Sequence, residues 1–188
     1  MAYSSGFSPH PRISYAGATP TGAASEAEYV ELALAEAVDT AALVARLASV
    51  MPEGLVPLAA VEAPPGVPLH KLLQASRWFL ELVDAPQAAV QQAVDELGAA
   101  DGLIIHRRST SGSRALDVRP ALLDLRTHLP HGVAFTIRLT EPLVRPNDVA
   151  AALGVLQPSL ADVVVLPTRL EQGPLLADGT IGDPLSTS

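Results

Sequence analysis

The chain has 188 residues, 48% of them hydrophobic, with 20 Asp and Glu against 12 Lys and Arg and no cysteine. Its length suits one large domain or two of about 80 to 100 residues; its apolar content excludes wholesale disorder, and a net charge of −8 excludes an indiscriminate polyanion binder, which needs a basic surface. Without cysteine there is no disulfide, no thiolate nucleophile, no CxxC zinc site and no cysteine-ligated iron–sulfur cluster on this chain. No run of 18 or more apolar residues and no basic stretch ahead of an apolar one is present, which reads as a soluble, cytoplasmic protein with no membrane partner.

In chain order, Ser4-Ser5-Gly6-Phe7-Ser8-Pro9-His10-Pro11-Arg12-Ile13-Ser14 comes first. A residue before proline is pushed towards extended geometry, so the Pro-His-Pro unit is stiff and presents His10 and Arg12 to an anionic group. The bland alternative has His10 bonded to nearby backbone and Arg12 covering a strand edge. Residues 12–19 read as a strand and Thr19-Pro20-Thr21-Gly22 as its turn. Residues 28–35, alternating Val30, Leu32 and Leu34 with Tyr29, Glu31 and Ala33, read as a half-buried strand. Glu26 and Glu28 ahead of it read as a solvated turn. Asp39 caps a helix whose Leu43, Val44, Leu47 and Val50 share a face, Pro52 and Gly54 end it, and residues 55–62 read as a further strand.

Ala63-Pro64-Pro65-Gly66-Val67-Pro68 reads as a linker. Beyond it come a helical turn at 69–73, a strand at 75–83 with Trp78 in the core, a helix from Pro86 to Gly98, and a strand over residues 103–108. A Ser109-Thr110-Ser111-Gly112-Ser113 turn leads to a shorter strand at 114–118. Pro120 opens a helix to about Thr127, residues 133–140 form a strand, Pro146 opens a helix to Leu153, and Val163 to Leu166 is the last strand. The expected architecture is therefore α+β, two ferredoxin-like βαββαβ modules. Residues 1–62 form the first, N-terminally truncated and carrying the Pro-His-Pro loop; 63–68 link it to the second, 69–172, with an inserted hairpin and helix over 109–128; 173–188 are a flexible tail.

Arg107, Arg108, Arg114, Arg119 and Arg126 put five of the eleven arginines within twenty residues. An arginine-tipped hairpin can contact RNA, and Arg108, Arg114 and Arg119 join His10 and Arg12 as anion-binding candidates. The alternative is a solvated turn with its arginines paired to Asp117 and Asp124. Asp117 and Arg119, two apart in an extended segment, share a face and form a structural ion pair. His106, His128 and His131 have no metal-ligand spacing, so no metal site is assigned.

Ser4 to Ser14, with Gly22 and Ser25-Glu26-Ala27-Glu28-Tyr29, resembles the YSxGFNPHPRISFA…G…SEAEY signature of the radical SAM-linked proteins, a bacterial family of unknown function. Arg108, Gly112 and Asp117-Val118-Arg119-Pro120 resemble its R…G…DIRP segment, and Arg145-Pro146 its later RP. Members are encoded beside or fused to a radical SAM protein, often near a ribonuclease E/G gene. Ser8 stands where the family usually has Asn, and the family's first strand and helix are expected ahead of Met1. The resemblance implies a radical SAM protein as partner. Since this chain lacks cysteine, the iron–sulfur cluster and S-adenosylmethionine belong on that partner, with no cofactor expected here. Two functions follow: a non-catalytic accessory module binding RNA or another anionic partner, or an RNA-processing or RNA-modifying enzyme using His10 and nearby arginines. A structural subunit without ligand is the third.

Overall fold

The structure, a computed structural model, describes residues 1–5, 7–109, 112–128, 130 and 132–186. It is α+β. A five-stranded sheet runs in the order β2 (Ala24–Ser25), β9 (Val165–Gly173), β4 (Ala75–Leu82), β8 (Gly132–Arg138), β7 (Leu122–His128), antiparallel throughout except for the short parallel pairing of β2 with β9. Period-two alternation decides which face is buried. Trp78, Leu80 and Leu82 of β4 and Val133, Phe135 and Ile137 of β8 point to one side. There they meet Val90, Ala93, Val94 and Leu97 of α3 (Gln87–Ala99) and Val149, Ala152 and Leu153 of α4 (Pro146–Leu156). Each large apolar side chain fully buried here contributes about 1.5–3 kcal/mol of transfer free energy.

The expected helix after Pro120 is instead a 3₁₀ turn, Arg119–Ala121, running directly into β7. Alternation explains the strand: Leu125 faces the helices opposite Phe135, while Asp124 and Arg126 turn to the other face and pair with each other. Pro120 fixes φ for a single tight turn and carries no helix further. The inserted element is accordingly the hairpin β5 (Ile104–Ser109) with β6 (Gly112–Asp117), a separate two-stranded sheet. It docks through buried Ile105 and Leu116. Thr110 and Ser111, the centre of the expected Ser/Gly turn, lie outside the described residues.

Among the described residues, the first 68 build no core of their own. β1 (Ile13–Ala16) and β3 (Tyr29–Leu32) form a two-stranded ribbon. Its buried Ala16 packs on Leu69 and Leu73 at the short helix α2 (Leu69–Leu72). The expected inward face of residues 28–35 is reversed: Val30 is exposed and Glu31 points inward, accepting the Leu69 N–H at 3.5 Å. Helix α1 (Thr40–Ala48) is capped by Asp39, whose carboxylate takes the Ala42 N–H at 2.8 Å, yet none of its residues is buried. Residues 55–62 form no strand, because no neighbouring segment offers a ladder to pair with.

Residues 173–186 follow β9 within the described part of the chain. They fold back as a turn closed by a Leu175–Ile181 bridge and a Gly182 N–H bond to the Pro174 carbonyl at 2.8 Å. The approach is so close that a Cβ on Gly173 would lie 2.0 Å from the Gly182 oxygen, which only glycine permits.

Candidate functional site

The hairpin register sets Arg107 directly opposite Arg114, two like charges on one face. Arg107 is neutralised by Asp148 of α4, which it grips bidentately, and it also donates to the Leu143 carbonyl at 2.8 Å. Asp148 sits there for a local reason. Arg145 precedes Pro146 and is extended, Pro146 opens the helix, and the Asp148 carboxylate at the third helical position reaches back to the Arg145 N–H at 2.7 Å. One carboxylate thus caps α4 and anchors the hairpin.

Arg108 and Arg114 are different. Both are exposed, and among the described residues their guanidinium groups make no hydrogen bond or ion pair. Arg114 borders a shallow cleft of about 380 Å³ between β6 and residues 140–142, which also involves Asp117, Pro120 and Glu141.

Arg119 is held within the fold. Its guanidinium donates to the Leu122 carbonyl at 3.1 Å and to the Gly98 carbonyl at 3.2 Å, the latter in the last turn of α3, where a cation also meets the negative end of the helix. Nor does it pair with Asp117, whose carboxylate takes the backbone N–H groups of Leu103 at 2.8 Å and Arg119 at 3.1 Å and so ties the strand entry to the hairpin exit. Of the pairings expected with Asp124, only Arg126 makes one.

At the N-terminus, residues 2–4 and 10–12 run antiparallel. A Tyr3–Pro11 bridge, the Ser4 N–H to His10 carbonyl bond at 2.9 Å, the Arg12 N–H to Ala2 carbonyl bond at 2.9 Å, and the His10 N–H to Ser4 hydroxyl bond at 3.0 Å hold them. His10 and Arg12 are exposed, and among the described residues neither side chain has a hydrogen-bond or ion-pair partner. Gly6 lies outside the described residues.

The most connected polar side chain, Arg169 of β9, was not among the residues expected from sequence. It is 4% exposed and all five of its N–H donors are used. They go to the Gly17 carbonyl at 2.6 Å, the Thr19 hydroxyl at 2.6 Å, the Ser25 hydroxyl at 3.3 Å, the Gln172 amide oxygen at 3.1 Å and the Glu28 carboxylate. Its guanidinium also lies over the Trp78 ring, 5.5 Å from the centroid. Gln172 donates to the Ala27 carbonyl. Residues 17–28 are thereby latched to the sheet edge, and Glu28 is a working partner rather than part of a solvated turn. An arginine in line, at period-two spacing, with the apolar Val165 and Pro167 was the available signal.

Burial pushes the Glu28 carboxyl up, but hydrogen bonds from Ser25, Thr19 and Arg169, with the charge of Arg169, hold it below the ordinary glutamate value. A depressed folded-state pKa contributes stability that is present above the unfolded value, about 4.3, and lost as pH falls through the folded one. Protease cleavage within residues 13–33 should therefore stay slow at pH 6 and accelerate below about pH 4 ahead of global unfolding. A cleavage rate that tracks only global unfolding would remove Glu28 from the latch.

Among the described residues no group of three or more His, Cys, Asp or Glu side chains is placed to hold a metal, and no helix is long and apolar enough to cross a membrane. His131, one of the three histidines without metal spacing, lies outside the described residues. Residues 1–150 match the model of a family described as an uncharacterized protein conserved in bacteria (DUF2344). No curated protein and no solved structure matches the chain.

Proposed function

We propose, from the premise that the chain belongs to the bacterial family DUF2344, that it is a non-catalytic accessory module that binds RNA and serves a radical SAM protein. The observation carrying this reading is the β5–β6 hairpin, a two-stranded ribbon docked by Arg107 whose neighbours Arg108 and Arg114 stay exposed and unpaired among the described residues. Free guanidinium groups on a paired two-stranded ribbon suit phosphate oxygens, since no internal carboxylate has to be displaced. The overall acidic charge favours a local contact over broad coating of a polyanion. The strand order β9-β4-β8-β7 with α3 and α4 on one face supports reading residues 75–173 as a ferredoxin-like module. That architecture is common among RNA-binding domains, a likeness of fold only. The partner would carry the iron–sulfur cluster and S-adenosylmethionine, because this chain has no cysteine to ligate a cluster.

Salt dependence tests the reading. Arg108→Ala with Arg114→Ala should weaken binding of a structured RNA and reduce the slope of log K against log salt by about one per lost phosphate contact, so about two in all. Both side chains are exposed, so the fold is unaffected. An unchanged slope returns both arginines to solvated surface.

A further inference from the structure

We infer that the N-terminal ribbon is a stacking platform for unpaired nucleobases, an inference that rests on the RNA-binding reading and assigns the class of RNA. Phe7 is fully exposed, and Tyr3 and Tyr15 are exposed at 58% and 73%. Three solvent-facing aromatic rings in fifteen residues contrast with Trp78, buried under Arg169. On the ribbon, Ile13 lies opposite Leu32 and Tyr15 opposite Val30, so these four side chains form one apolar outward face. The ribbon's one acidic side chain, Glu31, is on the opposite face, turned to Leu69. That face is apolar and uncharged, and His10 and Arg12, exposed in the segment that leads into β1, have no side-chain partners among the described residues.

That combination matches single-stranded nucleic acid better than the alternatives. A base offers a π-face to any exposed ring whatever its identity, and a nearby guanidinium or imidazole meets its phosphate. A duplex hides its base faces and leaves only phosphates and groove edges. The paired backbone of residues 2–4 with 10–12, and the prolines at 9 and 11, hold these two arms together before binding, which lowers the ordering cost.

Fluorescence anisotropy on the full chain, with a labelled mixed-sequence 12-nucleotide RNA and the same sequence as a duplex, separates the possibilities. Phe7→Ala and Tyr15→Ala should each weaken the single strand about ten-fold, change duplex binding less than two-fold and leave the salt slope unaltered, while Phe7→Trp keeps full affinity. Equal effects on both RNAs, or none on the single strand, overturn the platform. If the wild-type chain binds neither RNA, the RNA-binding reading falls with it. If Arg108→Ala with Arg114→Ala weakens binding and Phe7→Ala does not, the platform alone is wrong. Phe7 buries nothing, so loss of fold cannot mimic the result.

Discussion

Asp148→Ala should destabilise the protein by about 3 kcal/mol and loosen the β5–β6 hairpin. Removing one member of a buried ion pair typically costs 3–5 kcal/mol, because the other charge remains without its counter-ion. Here Arg107 is 27% exposed in its side chain and keeps the Leu143 carbonyl, which lowers that figure. Against this, the same substitution removes the acceptor for the Arg145 N–H at the start of α4, worth about 1 kcal/mol. It also restores repulsion between Arg107 and Arg114, facing each other in the register. Urea unfolding measures the loss, and hydrogen exchange in β5 and β6 places it. A double-mutant cycle with Arg107→Ala should show a coupling of about 2 kcal/mol. A loss below about 1 kcal/mol would mean that the apolar contacts of Ile105 and Leu116 alone dock the hairpin.

Arg169→Leu should cost about 2–3 kcal/mol and detach residues 1–33, β2 included, while strands β9, β4, β8 and β7 and the two helices packed on them persist. The shape is roughly kept, but the acceptors at Gly17, Thr19, Ser25, Gln172 and Glu28 all lose their donor. The Glu28 side chain is 42% exposed and can take up water, so its share is well below that of a fully buried partner. The carbonyl of Gly17 and the amide of Gln172 carry most of the remainder as unsatisfied acceptors. The expected signature is selective: rapid proteolysis within residues 13–33 against an otherwise protected chain. Uniform destabilisation of the whole chain would show that the N-terminal segment and the core unfold as one unit.

The core elements from β4 onward were legible in sequence because periodicity reports burial directly. Trp78, Leu80 and Leu82 alternate, while Val90, Val94 and Leu97 follow helical spacing, and both patterns meet in one core. Residues 122–128 were misread because Pro120 is as good a start for a tight turn as for a helix, and the two-residue spacing of Asp124 and Arg126 was the better guide. Residues 55–62 have strand composition, but a strand needs a partner, which composition cannot supply. At the candidate site, exposure of His10, Arg12, Arg108 and Arg114 followed from rigid loop and hairpin signals. The partners of Arg107, Arg119 and Arg169 did not, since they lie 41, 21 and up to 152 residues away in the chain. Guanidinium partners at that range depend on topology.

The position of β9 governs the order in which the molecule can assemble during synthesis. The last strand lies between β2 and β4, so β2 has no ladder, and β4 only the one it shares with β8, until residues 165–173 have been made. Glu28 waits for a partner 141 residues downstream, and at about 5–20 residues per second that is roughly 7–28 s of translation. Throughout that interval residues 17–28 lack the Arg169 and Gln172 side chains that hold them to the sheet.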